Sequence, residues 1–284
     1  MKMSQKRKVI GFCLALPFLC GFALFYLIPF AISVYYTFTF GNGRNALVGF
    51  QNYISVLGSH AFQLAAYNTA RFILIGVPLI IAISFLLSLL IDARLKRNAV
   101  FKSIFLYPMI VPTAAVVMIF QIVFSENGII NSMLPNVHID WLQSEYAFAV
   151  LILLYIWKNC GYCVILLSVG LLSIPEDFYS TAEVEGATRF QKFFQITFPL
   201  MLPTLFFVLT VSIVNVFKVF REAYLLAGNM PHSSIYMLQH YMNNNFANLN
   251  YQRLSVGAVL VFLVIFLLLA VLYTALRKRG DIEL

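Results

Sequence analysis

Six uninterrupted apolar stretches, most of about 20 residues or more, dominate the chain and leave few folds open to it. They lie at about Val9 to Tyr36, Phe72 to Ile91, Phe105 to Phe124, Ala147 to Leu172, Leu200 to Phe220 and Leu254 to Leu276. An α-helix advances about 1.5 Å per residue, so a stretch of about 20 crosses the ~30 Å hydrocarbon core of a bilayer. Inside lipid every backbone N–H and C=O must find a partner within the protein, which restricts spanning structures to helices and closed barrels. Barrel strands alternate in polarity over about ten residues, and these blocks are continuous. The pattern predicts an all-α integral membrane protein with six transmembrane helices. Composition agrees: 61% of the residues are hydrophobic and 11% charged, too few ionic groups to cover a water-facing surface. The intervening loops are too short to hold a separate core, so residues 1–284 are expected to form a single membrane domain.

The first stretch follows Lys2, Lys6, Arg7 and Lys8, as a secretory signal would. A signal core, however, spans about 7–15 residues and ends at small residues. This one is far longer and runs into Tyr35, Tyr36 and Phe38, so it is expected to remain as a helix.

Short loops rich in Lys and Arg stay on the cytoplasmic side. Besides the four N-terminal cations, such residues cluster at Arg94, Lys96, Arg97 and Lys102, at Arg189 and Lys192, and at Arg277, Lys278 and Arg279. The alternate loops hold Arg44, Arg71, Arg253 and Arg221, and the segment Ser125 to Tyr146 carries only acids. Both termini are therefore expected in the cytoplasm of a cell-membrane protein. The net charge of +8 is accounted for by these juxtamembrane positions, which face anionic lipid, and calls for no nucleic-acid partner.

Cys13, Cys20, Cys160 and Cys163 fall within the apolar stretches. The Cys160-Gly161-Tyr162-Cys163 spacing resembles a redox pair, but thiolate chemistry needs a polar, accessible setting, and packing against a neighbouring helix is the expected role. His60, His138, His232 and His240 read as outward-loop residues without ligand spacing, so no metal site is expected. The chain contains no G-x-x-x-x-G-K-[ST], H-E-x-x-H or G-x-S-x-G sequence, so nothing points to a P-loop or to the commonest hydrolase motifs.

Polar residues at bilayer depth are costly and usually face a cavity or a partner. Lys158 lies about 11 residues, roughly 17 Å, into the fourth stretch, followed by Asn159 and, at a position with no side chain, Gly161. It is expected either to line a hydrated cavity or to pair with another subunit. In the fifth stretch Asn215, Lys218 and Glu222 share one face of a continuous helix, with Arg221 beside them. Two readings are open there: a polar path, or a Lys218–Glu222 pair at i, i+4 with Arg221 reaching the outer surface.

The loop from Ser173 to Pro203 is the most informative segment. Pro175, Glu176 and Asp177 open a helix, Gly186 breaks it, and Phe190, Phe193, Phe194 and Ile196 form the apolar face of a second turn expected to end at Pro199. An aromatic helix-Gly-helix in the cytoplasm needs something to bury it. This segment resembles the E-A-A-x-x-x-G coupling motif of permease subunits of ATP-driven, binding-protein-dependent importers. Ser180, Thr181 and Ala182 stand at the E-A-A positions, with Ser180 in place of Glu. Glu185-Gly186-Ala187 stand at D-G-A and Ile196-Thr197-Phe198-Pro199 at the downstream I-x-L-P. The likeness extends through Leu16-Pro17 to Tyr35, Asn52-Tyr53, Pro108 to Pro112, Asn127-Gly128 to Asn131, Trp157-Lys158-x-x-Gly161, and Leu225-Leu226 with Pro231. In this order it is similar to the sugar-importing branch, of the type of the first maltose permease.

The resemblance implies the six-helix type I ABC importer permease fold, with helix one at about 9–36 peripheral, a core at about 65–276 and a cytoplasmic coupling loop at about 173–203. It implies that Ser180, Thr181, Ala182, Glu185, Gly186, Ala187 and Phe190 meet a cytosolic ATPase dimer, so that ATP is bound by that partner and this chain needs no cofactor and performs no covalent chemistry. A second, homologous permease and an extracellular or periplasmic solute-binding protein complete the implied assembly. Sugar-contact positions of the family fall on Met109, Thr113, Gly161, Ser212, Val216 and Val219; several are apolar here, and the neighbouring basic residues fit an anionic or phosphorylated sugar. A permease for glycerol phosphate, a polyamine or an amino acid would keep the same loop. A membrane scaffold or enzyme would make that loop dispensable.

Overall fold

The computed structural model describes residues 3–40, 46–95, 107–133 and 139–277. Several cations used above for orientation, Lys2, Arg44, Lys96, Arg97, Lys102, Lys278 and Arg279, lie outside the described residues, as do His138 and Phe105. The chain divides into two compact units, the first drawn from Met1–Gln63 and Tyr241–Val264, the second from Leu64–His240 and Ile265–Leu284.

In the first unit α1 (Met3–Phe22) passes through a wide π turn, Ala23–Leu27, into α2 (Ile28–Thr37). A short antiparallel hairpin of β1 (Thr39–Phe40) and β2 (Ala46–Leu47) follows, then α3 (Gln51–Leu57). Asn52 holds this corner by donating to the carbonyls of Thr37 and Thr39 at 3.0 Å each, and the Tyr53 hydroxyl donates to Thr37 Oγ1.

The next helix, α4, runs from His60 to Leu95 and is longer than the apolar count indicated. The count started at Phe72 because Asn68, Thr69 and Arg71 are polar; the structure supplies partners for all three. Asn68 donates to the carbonyls of Ser233 (2.6 Å) and Tyr236 (2.9 Å), and Thr69 accepts from Leu238 N–H. The Arg71 guanidinium lies 4.0 Å from the centre of the Phe148 ring, a cation–π contact, so Arg71 belongs to the helix and not to a loop. Arg253 likewise falls within a helix, Tyr251–Arg277.

Beyond the segment before Tyr107, residues 107–110 are helical and the chain breaks at Val111 and Pro112. Proline disfavours helical backbone in the residue before it, which splits the predicted third helix and starts α5 at Thr113–Phe124. A short α6 (Ile129–Met133) leads to α7 (Ala147–Leu172), whose limits match the apolar stretch. Then come α8 (Glu176–Val184), α9 (Arg189–Lys192), a second π turn at Phe193–Thr197, and α10 (Phe198–Val216).

Pro199 does not end this helix. The Phe198 N–H reaches back five residues to the Phe193 carbonyl, just as the Ile28 N–H ahead of Pro29 reaches Ala23. The widened turn gives the carbonyl that a proline ring would strike room to tilt away, so the helix continues through the proline. After α10 come α11 (Phe220–Ala227), a 3₁₀ turn at Ser233–Ile235, α12 (Leu238–Ala247) and α13 (Tyr251–Arg277). Among the described residues six helical segments are long and apolar enough to cross a membrane.

Packing in the second unit centres on α7. Phe72 meets Phe148 and Tyr155 edge-on, at centroid distances of 5.9 and 5.4 Å. The Tyr155 hydroxyl donates to the Ser212 carbonyl at 3.0 Å. Gly170 lies so close to Thr204 that a Cβ there would sit 2.6–2.9 Å from its side chain. Lipid is as apolar as these side chains, so close approach through small residues and interhelical hydrogen bonds, more than removal from water, joins the helices. Cys160 and Cys163 serve this packing, with Ser84 Oγ 3.3 Å from Cys160 Sγ and Ser212 Oγ 3.8 Å from Cys163 Sγ.

Candidate functional site

Two concave features hold most of the predicted functional residues. The first is a cavity of about 320 Å³ whose wall includes Met109, Lys158 and Asn159 on one side and Asn215, Lys218, Val219 and Glu222 on the other. Its local backbone explains the grouping. Between α10 and α11 the chain tightens: Lys218 N–H bonds Asn215 O and Arg221 N–H bonds Lys218 O, at 3.0 and 3.2 Å. Three-residue turns stack side chains at i and i+3, so Asn215, Lys218 and Arg221 line up on the cavity, whereas an α-helix would rotate Arg221 away.

The same tightening removes the spacing a Lys218–Glu222 pair requires. Glu222 instead accepts a hydrogen bond from Lys158, whose ammonium also donates to Thr113 Oγ1 at 2.5 Å. Both side chains are largely withdrawn from solvent, 16% exposed for Lys158 and 8% for Glu222. The second carboxylate oxygen, Glu222 Oε2, is buried with no partner among the described residues.

The cavity does not include every predicted position. Gly161, Ser212 and Val216 are buried within the helix packing; Ser212 meets Cys163 and its carbonyl takes the Tyr155 hydroxyl. Tyr162 and Val211 line the cavity unannounced. Both lie four residues from a predicted member, Lys158 and Asn215, and helical spacing could have found them.

The second feature is the elbow of α8 and α9. The Gly186 N–H bonds Glu183 O and the Ala187 N–H bonds Ala182 O, a Schellman closure that needs left-handed backbone at Gly186, φ +77°. Thr188 then caps α9 in a capping box: its hydroxyl accepts from Gln191 N–H, and Gln191 Oε1 accepts from Thr188 N–H at 2.8 Å. The Thr-x-x-Gln spacing was readable as this signal. Lys192 donates to Glu183 across the corner at 2.8 Å, and this bond holds the Glu183 carboxyl below its ordinary range. Tyr179 and Thr197 share a hydrogen bond at 2.9 Å. A cavity of about 720 Å³ sits in the bend, lined in part by Thr181, Ala182, Glu185 and Ala187. Ser180 bonds Asp177 O on the outer face, while Val184 is 90% and Phe190 73% exposed.

His240, expected in a loop, is instead fully buried in α12, accepting Met237 N–H at Nδ1 and ringed by Phe220 and Tyr236. Burial pushes its imidazole down to about 4.

Helices long and apolar enough to cross a membrane, a polar cavity lined by two of them, and a rigid apolar elbow joined to one of them together suit a transport subunit. Residues 76–281 match the binding-protein-dependent transport system inner membrane component family, and the chain belongs to that family as a multi-pass permease subunit of an ABC importer. It is 27% identical to the arabinooligosaccharide transport system permease protein of Bacillus subtilis over 99% of this chain and 92% of that one. A probable ABC transporter permease protein of the same organism is 30% identical over 80% of this chain and 77% of its own length. The trehalose/maltose transport system permease protein of Thermococcus litoralis is 29% identical, covering 81% of each chain. A chain from the crystal structure of a bacterial ABC transporter involved in import of the acidic polysaccharide alginate superposes with a TM-score of 0.80 at 20% identity, covering 96% of both chains. That likeness concerns the fold.

Proposed function

We propose that this chain forms half of the translocation pathway of an importer for a sugar or oligosaccharide, with a second permease forming the other half and an ATPase dimer seated on the elbow. The observation that carries the reading is the elbow itself. Val184 and Phe190 present apolar surface on a corner whose shape is fixed by hydrogen bonds, and rigid exposed apolar surface is what a docking partner buries. ATP binding by that partner moves the corner as a unit, and the motion reaches the membrane helices because α9 runs without a break through the π turn into α10. An external binding protein delivers solute, as the family's name implies, and the curated relatives, permeases for arabinooligosaccharides and trehalose or maltose, support a saccharide. Arg189 and Lys192 support a cytoplasmic position for the elbow, and with it for both termini. Within the pathway Met109, Lys158, Asn159, Asn215, Lys218, Val219 and Glu222 face solute, and Thr113 steadies Lys158.

A photo-crosslinking residue at Val184 in the assembled, membrane-embedded transporter tests the coupling role. The expected product joins this chain to the ATPase, in a yield that changes with nucleotide. Crosslinks confined to this chain, under every nucleotide condition, overturn it.

A further inference from the structure

We infer that the cavity between α7 and the α10–α11 junction takes an acidic saccharide, its carboxylate seated on Lys218 and Arg221; this rests on the proposed reading of the chain as a sugar permease. The walls carry three cations, Lys158, Lys218 and Arg221, against one carboxylate, Glu222. That carboxylate is already engaged by Lys158, and Thr113 takes another of the same ammonium's donors. Lys158 is therefore compensated within the chain. Lys218 and Arg221 have no acidic partner among the described residues. Two uncompensated cations in a membrane-crossing segment are costly unless they meet an anion or water.

The register of the junction gives this charge a shape. The i→i−3 bonds from Lys218 to Asn215 and from Arg221 to Lys218 put an amide, an ammonium and a guanidinium in one row along the wall. A guanidinium offers paired N–H donors that match the two oxygens of a carboxylate, and an ammonium beside it adds a point charge. A neutral glycan would leave both cations unmatched, and a polyamine would be repelled by them.

The test uses the complete transporter, with its second permease and ATPase, in lipid nanodiscs. The probes are short oligo-uronates and the same mixture after chemical reduction of its carboxyls to alcohols. Thermal stabilisation of the complex and stimulation of ATP hydrolysis are read against probe concentration. The uronates are expected to act at concentrations about ten-fold lower than their reduced counterparts, the difference one charge-assisted contact makes. That advantage shrinks as salt rises and disappears in K218Q/R221Q. Equal response to the two probes, or a preference for the reduced form, overturns the inference and leaves the sugar reading standing. Response to neither probe, with response to glycerol phosphate or a polyamine, overturns both. If K218Q/R221Q releases the second permease while the charge preference survives, the cations serve assembly and the inference also fails.

Discussion

Lys158 on α7 is bonded to Glu222 on α11, 64 residues further along the chain, in preference to the cation Lys218 that lies four residues from Glu222 in sequence. The pair ties two membrane-crossing segments together at the wall of the polar cavity. Each partner removes the need to bury the other unpaired.

This arrangement sets the outcome of a double-mutant cycle. Lys158→Met and Glu222→Leu are each expected to lower stability by about 3 kcal/mol, because each strands a largely buried charge. The double variant is expected to lose less than the sum of the two, since no charge is left alone. Thermal unfolding of the detergent-solubilised protein measures it; strict additivity would show that the pair contributes no coupling.

On the proposed docking role of the elbow, Gly186→Val is expected to impair coupling and to leave the membrane helices intact. A branched side chain at φ +77° costs more than about 1 kcal/mol locally, enough to reopen the Schellman turn. Nothing else lies within 4 Å of a Cβ there, so the effect is conformational and not a clash. Vesicles carrying the variant complex are expected to lose most solute uptake and solute-stimulated ATP hydrolysis while helical content stays as in the parent. Unchanged uptake would remove the corner from the mechanism.

Gly170→Ala tests the α7–α10 contact. The new methyl would stand 2.6–2.9 Å from Thr204, whose branched side chain has little freedom to retreat, and overpacking of this kind costs about 1–3 kcal/mol. Adding Thr204→Gly removes the obstructing atoms and is expected to recover part of the loss. Melting temperatures of the single and double variants decide the matter.

His240 gives the protein a pH dependence with a definite sign. Its folded-state pKa is depressed from 6.5 to about 4, so between those values the unfolded chain binds the proton first. The contribution is fully present above pH 6.5 and is lost as pH falls toward 4, at no more than about 1.4 kcal/mol per pH unit. Replacing His240 with Phe is expected to flatten the stability profile in that window. The parent and variant profiles, followed by thermal unfolding at stepped pH, would coincide if the imidazole were protonated alike in both states.

The membrane class, the limits of α7 and the elbow at Gly186 are legible in the residues alone, because lipid demands long apolar helices and a left-handed helix end favours glycine, both of which are local rules. The sequence also marked Lys158, Asn215, Lys218 and Glu222 as polar groups out of place in lipid. Tertiary structure decided what each of them does. The start of α4 stayed hidden because Asn68 and Thr69 look unsuited to a buried helix until Ser233, Tyr236 and Leu238 arrive from 165 to 169 residues away. Pro199 read as a stop because the π turn that accommodates it depends on backbone geometry no residue pattern spelled out. The choice between Lys158 and Lys218 for Glu222 turned on a few i→i−3 bonds near Asn215, and ionic pairing falls so steeply with distance and burial that a small change of helical pitch reassigned the partner and left Lys218 and Arg221 facing the cavity.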